Sequence, residues 1–436
     1  MKKAVIYALC ALFALLCACA RFPGMPDTVY PEHTMAYSES PAGSESGGGA
    51  ANEKEERKVI NHKDLKGIWV SQFDMQSVYK KDGVQREKDE YVLIVRRIVG
   101  DIAALGFNTV FLQVRPYGDS FYPSAYYPDS SFVTGKYGRK AKYDPVEIFI
   151  EESHALSLSV QAWINPMRLM TEKEIVLIPD GAPLKQMYYA GELVNVEGRL
   201  YLDPAREDAI KLIAGGAAEA LETHAFDGLH IDDYFYPTQD ESFDKATFAS
   251  SRALSLEQFR INNIDRLVKT LYDTAKSVDE KLIFGVSPAG NLDSVVKKYS
   301  ADVYKWCSQS GYTDYILPQL YFGLEHGVCP FAEEAEKWAA IVRSPDVALY
   351  IGMTLGKAVA GSAGEEDKWA LTEAGKREWI DHTDVLARCM RFLTEWGKSD
   401  GFSFFCLQYF TDPVTGEPNA AAAKEAAGIY EYIKGA

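Results

Sequence analysis

Two adjacent carboxylates, Asp232 and Asp233, follow a short apolar run in the stretch DGLHIDDYFYP, residues 227–237. Hydrolysis of a glycosidic bond commonly needs two carboxyl groups, one to protonate the leaving oxygen and one to act as nucleophile or base. Asp232 is the stronger candidate for the nucleophile or base. Asp233 either shares its site, or caps a helix or forms a salt bridge outside it.

The second carboxyl of such a site has other candidates along the chain, none of which carries a decisive local signal. A lone aspartate after a strand is more often a helix cap than a catalytic group. The identity of the general acid therefore stays open at this stage. The candidates are Asp74, Asp119, Asp293 and Glu325.

Eight short β-rich apolar runs could position these groups, because each is separated from the next by a helix-sized interval. Helical patterns intervene, for example at 90–105, 145–156 and 205–224. No glycine-rich fingerprint follows the first run, and eight units are the number that closes a barrel. The sequence therefore predicts a (β/α)8 TIM barrel rather than a doubly wound open sheet. The predicted strands are 67–72, 109–114, 159–164, 228–232, 282–287, 315–320, 348–353 and 402–407.

Strand alternation predicts where the fourth run directs its side chains. Leu229 and Ile231 share one face of the strand, and His230 and Asp232 share the other. Barrel helices cover the outer face with apolar contacts, so we expect His230 and Asp232 to point toward the barrel axis. Asp233 falls on the opposite face unless the loop turns it back.

Long excursions follow the third and seventh predicted strands, at 166–204 and 354–378. In a barrel they would rise from the C-terminal face, where active sites are built. Hydrogen-bonding residues also follow nearly every predicted strand, as expected around a ligand with many hydroxyl groups. We predict a substrate-binding set of Asp74, Arg115, Tyr117, Asn165, Arg168, His230, Gln319 and Tyr321.

The members of this set have different expected roles. Arg115, Asn165 and Arg168 suit hydroxyl or carboxylate groups of a glycan, since arginine pairs well with carboxylates. Tyr117 and Tyr321 suit stacking on sugar rings. The competing roles are a salt bridge to Asp119 or Asp232 for the arginines, and core packing for the tyrosines. His230 is expected to hydrogen-bond Asp232 or substrate.

The first sixty residues have a different character from the rest. Lys2 and Lys3 precede a short apolar run that is typical of a signal peptide, and LCAC, residues 16–19, resembles a bacterial lipobox with Cys19 as the lipidated residue. An ordinary secretory signal with chance cysteines is the alternative. The next segment is rich in Ser, Gly, Glu and Pro, as in flexible linkers. The predicted divisions are a signal peptide at 1–18, a disordered linker at 19–62 and the barrel at 63–436.

Composition excludes several other classes of function. A formal net charge of −16 argues against binding to nucleic acid or to an anionic membrane surface, so membrane contact is expected only through the lipid anchor. Seven histidines, no HxH pair after the first strand and no CxxC spacing predict no metal site and no cofactor. The four cysteines beyond the linker, at 307, 329, 389 and 406, are expected to be buried small hydrophobes.

Several long strings resemble the glycosyl-hydrolase-like family 10 proteins, also called the DUF187 family. They include GIWVSQFDM, GFNTVFLQVRPYGDSFYPSAYYP, DGLHIDDYFYP, FGVSPAGN and GYTDYILPQLYFG, in order between about residues 66 and 410. The resemblance implies an exported TIM-barrel glycoside hydrolase in which Asp232 is the catalytic carboxylate, with Asp233 beside it. Tyr234 stands where chitinase-type barrels have a catalytic glutamate, so the resemblance does not supply the acid.

Three hypotheses of function follow. The first is a surface-anchored hydrolase of a polysaccharide, with peptidoglycan glycan strands as one candidate substrate. The second is a carbohydrate-binding pseudoenzyme on the same barrel, without a competent acid. The third, a metal-dependent hydrolase, lacks a recognisable ligand set.

Overall fold

The eight apolar runs form eight parallel strands, each bonded to its neighbours in chain order. The last strand pairs with the first, so the sheet closes into a barrel. This computed structural model describes residues 57–435. The predicted (β/α)8 fold is confirmed. The strands are β1 Leu65–Val70, β2 Thr109–Arg115, β3 Ser159–Ile164, β4 Gly228–Ile231, β5 Ile283–Val286, β6 Tyr315–Ile316, β7 Ala348–Thr354 and β8 Gly401–Phe405.

Helices alternate with these strands and cover the outside of the barrel. Their ends follow from local sequence: Asp144 accepts hydrogen bonds from Val146 N and Glu147 N ahead of the helix Pro145–Ala155. Gly106, at φ 98°, ends Lys88–Leu105 in the left-handed region that favours glycine. The longer helices are Lys88–Leu105, Pro145–Ala155, Glu207–Thr223, Leu256–Val278, Phe331–Ile341, Val385–Trp396 and Ala423–Lys434.

Shorter helices complete the connections, several of them on the loops that follow the strands. The prediction of helices at 90–105, 145–156 and 205–224 is confirmed to within two residues at each end. The shorter helices are Gln72–Tyr79, Ser131–Thr134, Glu172–Ile175, Pro183–Tyr189, Lys245–Ser250, Leu292–Tyr299, Val303–Trp306, Gly356–Ser362 and Glu373–Asp381, with a 3-10 turn at Leu407–Tyr409.

Apolar side chains form two separate cores. One lies between the strands and the helices and takes the outward residues of the strands, such as Val110 and Leu112 of β2. The other fills the barrel interior and is largely aromatic, with Trp69, Phe111 and Tyr315 among its members. Burying each such side chain stabilises the fold by about 1.5–3 kcal/mol. Because side chains alternate along each strand, both faces of the barrel contribute this stabilisation.

Glycine makes room for the large interior rings. A Cβ atom built on Gly285 in β5 would lie 1.7 Å from the Tyr315 ring. No side chain fits at that distance, so the aromatic interior requires glycine at this position. The interior is thus packed by side chains up to the level of the strand ends.

The long excursions after β3 and β7 carry structure of their own. Residues after β3 form a three-stranded antiparallel sheet from Arg168–Thr171, Arg199–Tyr201 and Val194–Val196. The excursion after β7 contains the helices Gly356–Ser362 and Glu373–Asp381. Both leave the C-terminal ends of their strands, as predicted.

The N-terminal boundary of the barrel differs from the prediction. Arg57 Nη2 donates to His224 O at 2.7 Å, and Ile60 N donates to Asp227 Oδ1 at 2.6 Å. Residues 57–62 therefore contact the barrel and belong to the folded unit, although the sequence placed them in the linker. The predicted signal peptide, Cys19 and the linker up to residue 56 lie outside the described residues.

Two further features of residues 57–435 bear on the sequence analysis. No helix in this range has the length and apolar character needed to cross a bilayer. Cys307, Cys329, Cys389 and Cys406 are free thiols and all four are buried, which confirms their predicted role as small apolar side chains.

Candidate active site

A cavity of about 330 Å³ opens at the C-terminal ends of the strands. Six of the eight strands or the loops that follow them contribute to its walls, so barrel closure is needed to assemble it. Half of its lining residues are aromatic and two are aspartates. They are Trp69, Ser71, Gln72, Phe73, Gln113, Tyr117, Trp163, Arg168, Asp232, Asp233, Tyr234, Gln319, Tyr321 and Phe405.

Asp232, directly after β4, lies in the floor of this cavity with 5% of its surface exposed. Its hydrogen-bond donors lie in the neighbouring strand β3 and directly after it. Asn165 Nδ2 donates to both carboxyl oxygens, at 2.6 and 2.7 Å, and Trp163 Nε1 donates to Oδ2 at 3.1 Å. The axial position predicted for Asp232 is confirmed, while its role stays a prediction.

Burial controls the protonation of Asp232. Removal from water, which is the larger cause, and the negative charge of Asp233 together raise the pKa of this carboxyl to about 8. The donors Asn165 and Trp163 favour the carboxylate and partly oppose the rise. At neutral pH Asp232 therefore carries a proton that it can give to a bound group.

Asp233 also lines the cavity, because the loop turns its side chain back toward the barrel axis. The sequence left open whether Asp233 shares the site of Asp232 or lies outside it. In the structure it lies beside Asp232 in the cavity. Asp233 is less enclosed than Asp232. Burial raises its pKa as well, while a hydrogen bond from Gln319 and the charge of Arg168 act against that rise.

Arg168 forms the cationic side of the cavity. Its guanidinium carbon lies 4.9 Å from the centroid of Tyr117 and 4.3 Å from that of Tyr234, so it is held between two rings. Arg199, from the sheet after β3, lies over the Tyr117 ring at 4.6 Å. Two guanidinium groups therefore share one aromatic side chain at the edge of the carboxylate pair.

Comparison with known proteins now decides the family. Residues 64–371 match the family model described as Glycosyl hydrolase-like 10. This match spans most of the chain and all of β1 to β7.

The chain belongs to the Glycosyl hydrolase-like 10 family.

Two relatives are also named glycosyl hydrolases. The chain is 30% identical over 319 residues to Glycosyl hydrolase YngK of Bacillus subtilis, covering 66% of this chain and 60% of that protein. It therefore spans less than two thirds of that relative. It is 29% identical over 390 residues to Glycosyl hydrolase DigH of Escherichia coli K12, covering 82% of this chain and 84% of that protein.

Solved structures share the fold of this family member at low sequence identity. The glycoside hydrolase domain of PgaB (BpsB) from Bordetella bronchiseptica superposes with a TM-score of 0.51 at 15% identity, covering 85% of this chain and 99% of that one. The catalytic domain of β-amylase from Paenibacillus polymyxa gives 0.52 at 10%, covering 86% and 99%. Both support the TIM-barrel fold.

Within this family member, Arg115 does not reach the cavity, so its predicted substrate role is wrong. The pairing of β2 with β3 shifts by one residue between Gln113 and Arg115, which turns Arg115 to the outer face of the barrel. Its guanidinium carbon lies 4.4 Å from the Tyr127 centroid. A Cβ atom on Gly216 would meet it at 2.7 Å, so Arg115 fills the space beneath the helix Glu207–Thr223.

Asp74 is a structural group and not a substrate ligand. Its Oδ2 accepts hydrogen bonds from Ser71 N and Ser71 Oγ, both at 2.6 Å, as a capping box at the start of Gln72–Tyr79. Its Oδ1 accepts from Gln408 N at 2.7 Å. Because both oxygens are occupied and the group is 1% exposed, Asp74 joins the end of β1 to the segment after β8.

His230 faces the barrel axis as predicted, but it lies in the packed interior and touches neither Asp232 nor the cavity. Trp69 Nε1 donates to its Nε2 at 3.2 Å, and its Nδ1 pairs with the Tyr315 hydroxyl at 2.9 Å. Burial lowers the pKa of His230 to about 3, so the ring is neutral and donates from Nδ1. Its predicted hydrogen bond to Asp232 or substrate is therefore wrong.

Asn165 also has a different role from the one expected. It is 1% exposed, and its amide group is committed to Asp232 and to Gln113, whose Nε2 donates to Asn165 Oδ1 at 2.7 Å. It holds the carboxyl in place and does not reach a ligand. The remaining members of the predicted set, Tyr117, Arg168, Gln319 and Tyr321, all line the cavity.

The other candidates for the acid lie away from the cavity. Asp119 is buried and accepts from Tyr117 N at 3.1 Å, with a pKa raised by burial to about 6. Asp293 is exposed and pairs with Lys337 at 2.7 Å. Glu325 lies exposed on the loop after β6. Among the lining residues, the carboxyl groups are those of Asp232 and Asp233.

Three important residues escaped the sequence analysis: Gln113, Trp163 and Phe73. The first two lie at positions that strand alternation directs inward. Gln113, for example, follows the interior residue Phe111 by two positions in β2. That signal was available in the sequence. Phe73, 56% exposed at the mouth, had no pattern to reveal it. Across the described part of the chain, no three His, Cys, Asp or Glu side chains are grouped to hold a metal ion.

Proposed function

We propose that this protein is a glycoside hydrolase in which Asp232 donates the proton to the leaving glycosidic oxygen. The observation that carries the proposal is the position of two carboxyl groups in one cavity, with the pKa of Asp232 raised to about 8. A group with this pKa is protonated at neutral pH and still acidic enough to release its proton. Asp232 is thus assigned as the acid, in place of the nucleophile or base expected from sequence.

Asp233 is the second carboxyl of the mechanism. Its greater exposure and its proximity to Arg168 favour its ionised form relative to Asp232. A carboxylate there stabilises the positive charge that develops on the sugar ring, as nucleophile or base. The two adjacent aspartates therefore take different roles because their surroundings differ.

The walls of the cavity support a sugar as the ligand. Seven lining residues are aromatic, and flat apolar faces pack well against the C–H faces of pyranose rings while Gln319 and Gln72 offer amide groups to hydroxyls. Phe73 and Tyr234 remain 56% and 42% exposed, so they can contact a chain that extends beyond the cavity. The proposed substrate is accordingly a polysaccharide.

The cationic side narrows the proposal to a glycan that carries carboxylates. Arg168 places a positive charge in the cavity wall of a chain whose net charge is −16. Its stacking between Tyr117 and Tyr234 fixes the guanidinium plane, which suits bidentate pairing with a carboxylate. Peptidoglycan glycan strands, with lactyl carboxylates, fit this chemistry. The proposed location is the cell surface, with lipidated Cys19 and the following segment as a tether that brings the barrel to the wall.

Incubation with purified glycan strands tests the activity. The wild-type chain should release shorter saccharides, and Asp232→Asn and Asp233→Asn should each lower the rate by roughly 10²–10⁴-fold. Asp293→Asn is the matched control, since Asp293 is an exposed aspartate outside the cavity. Full activity in Asp232→Asn would refute the assignment, and sugar binding by the wild type without any cleavage would establish the pseudoenzyme.

Substrate charge is tested by a comparison of Arg168→Met with wild type on two glycans. On strands with free carboxylates, KM should rise by about 10–100-fold, since a hydrogen bond between charged groups contributes about 1.5–3 kcal/mol. On the same strands with carboxyls reduced to alcohols, the two proteins should have similar KM values. An equal loss on both substrates would show that Arg168 does not recognise a carboxylate.

Anchoring has its own test in cells. Cys19→Ala should release the protein from the membrane fraction and prevent incorporation of labelled fatty acid. Retention of the variant in the membrane fraction would refute the lipid tether.

A further inference from the structure

We propose that Gln113 is a positioning residue that forces the Asn165 amide to present its NH2 group, and not its carbonyl, to Asp232. The inference rests on the proposed role of Asp232 for its effect on catalysis. Its structural part stands on a directed chain of hydrogen bonds that crosses the mouth of the barrel from β1 to β4.

The chain of hydrogen bonds has a fixed direction. Gln72 N donates to Gln113 Oε1 at 2.9 Å, Gln113 Nε2 donates to Asn165 Oδ1 at 2.7 Å, and Asn165 Nδ2 donates to both oxygens of Asp232. The first donor is the backbone N–H of the first residue of the helix Gln72–Tyr79, which has no partner within its helix. A backbone N–H can only donate, so it sets the orientation of every amide after it.

Burial makes the orientation obligatory. Gln113 is 3% exposed and Asn165 is 1% exposed, so neither amide can exchange a missing partner for bulk water. An inverted Gln113 would place its NH2 against the N–H of Gln72 and its carbonyl against that of Asn165. Both contacts would join like groups, and only one arrangement of the two amides satisfies all of them.

The orientation matters because the two ends of an amide have opposite effects on a carboxyl. The N–H donors of Asn165 stabilise the carboxylate and oppose the rise that burial imposes on the pKa of Asp232. A carbonyl in their place could be bonded only by the protonated acid. Asp232 would then hold its proton more tightly and become a weaker donor to the leaving group.

Other groups act on Asp232 from several elements and stay in place when Gln113 changes. Asp233 and Tyr234 face it from its own loop, Trp163 donates to it from β3, and Tyr321 lies nearby on the loop after β6. Arg168, after β3, acts on the pair through Asp233. A change in the pKa of Asp232 in a Gln113 variant can therefore be attributed to Gln113.

Trp163 provides a readout that does not depend on catalysis. Its indole Nε1 donates to Asp232 Oδ2 at 3.1 Å, so its fluorescence responds to protonation of that carboxyl. Subtracting the titration of Trp163→Phe from that of the full-length wild-type protein isolates this signal. The difference should show a step at about pH 8 that is absent in Asp232→Asn.

Two substitutions of Gln113 test the inference. Gln113→Met removes both hydrogen bonds and keeps a side chain of similar size. Gln113→Glu replaces the donor to Asn165 with a second acceptor, so the amide of Asn165 must reverse to donate to it. We expect the fluorescence midpoint to rise in Gln113→Met and to rise further in Gln113→Glu, by one pH unit or more. Gln85→Met is the matched control, since Gln85 is a glutamine of equal burial, 3% exposed, that lies outside the cavity, donates to Tyr143 O and accepts from Lys142 N. Its midpoint should equal that of wild type.

The same variants report on catalysis. The alkaline limb of the pH–rate profile should move up with the fluorescence midpoint while kcat at neutral pH falls. A purely structural role would lower the melting temperature and leave both midpoints unchanged, and that result would overturn the inference. Equal midpoints in Gln113→Met and Gln85→Met would also overturn it, even if Gln113→Glu did not fold. A shifted fluorescence midpoint without glycan cleavage would instead refute the proposed function and leave the positioning role intact.

Discussion

The stability of an Asp232→Asn variant relative to wild type should increase as pH rises. Burial raises the pKa of Asp232 from 3.8 to about 8, so the native state holds this proton far more tightly than the unfolded chain does. The resulting stabilisation is complete below pH 3.8 and is lost steadily as pH rises through about 8. Asparagine does not titrate, so the variant does not suffer this loss.

The size of the effect follows from the same shift. Each pH unit between the two pKa values changes the free energy of unfolding by about 1.4 kcal/mol, so wild type should lose roughly 4 kcal/mol relative to the variant from pH 5 to pH 8. A barrel of roughly 370 residues unfolds with an entropy of about 0.8 kcal/mol/K at ~2.1 cal/mol/K per residue. The difference in melting temperature should therefore widen by about 5 °C over this interval and level off above it.

Calorimetric melting of wild type and Asp232→Asn between pH 5 and pH 9 measures this gap directly. Asp293→Asn should melt in parallel with wild type at every pH, because Asp293 is exposed. A gap that stays constant from pH 5 to pH 8 would refute the reasoning, since Asp232 would then titrate normally in the native state.

Three other substitutions test the packing and the sugar site. Gly216→Ala should lower the free energy of unfolding by about 2–3 kcal/mol in denaturant titrations, because its Cβ would lie 2.3 Å from the Tyr127 ring. Asp244→Asn should cost about 3–5 kcal/mol by the same measurement, since it leaves the buried Arg260 without the carboxylate that it contacts at 2.7 Å. Phe73→Ala should raise KM for the glycan about 5–10-fold with an unchanged melting temperature, because this ring is 56% exposed at the mouth of the cavity.

The barrel itself could be predicted because each strand combines two strong signals. An apolar run of β-branched and aromatic residues recurs eight times, and the intervals suit helices. The same alternation placed Asp232 on the axis correctly, since Leu229 and Ile231 must face the helices. The length of a strand is less well predicted than its presence. The sequence predicts a strand at 315–320, but β6 ends at Ile316 and the chain continues as irregular backbone.

Alternation failed where the backbone departs from a regular strand. The irregular pairing at the end of β2 moves Arg115 to the outer face, and the turn after β4 brings Asp233 back to the inner one. Both departures lie at the ends of strands, where side-chain direction depends on the loop that follows. A single sequence holds no local signal for either, so the membership of the site could be predicted only in part.

The residues that tune the site were missed for a different reason. In the sequence, Asn165 and Gln113 resemble ligands of a sugar or ordinary polar strand residues. Only the structure shows that Gln113 bonds to Asn165 and that Asn165 bonds to Asp232. Hydrogen-bond partnership between strands depends on register, which no single strand contains. Sequence patterns thus predict which polar residues lie at the mouth of the barrel. They do not show which of these residues face the substrate and which ones hold Asp232 in position.

The energetics of the carboxyl pair favour a hydrolase over a carbohydrate-binding module. Sugars can be held by aromatic faces and amides, which this cavity supplies without any buried acid. Two adjacent aspartates with raised pKa values cost stability at neutral pH, and natural domains have only about 5–15 kcal/mol in total. Such a cost is usual where catalysis requires it, since destabilising groups concentrate at active sites. An Asp232→Asn protein whose melting temperature rises relative to that of wild type with increasing pH, and which binds glycan without cleaving it, would show this trade-off in one variant.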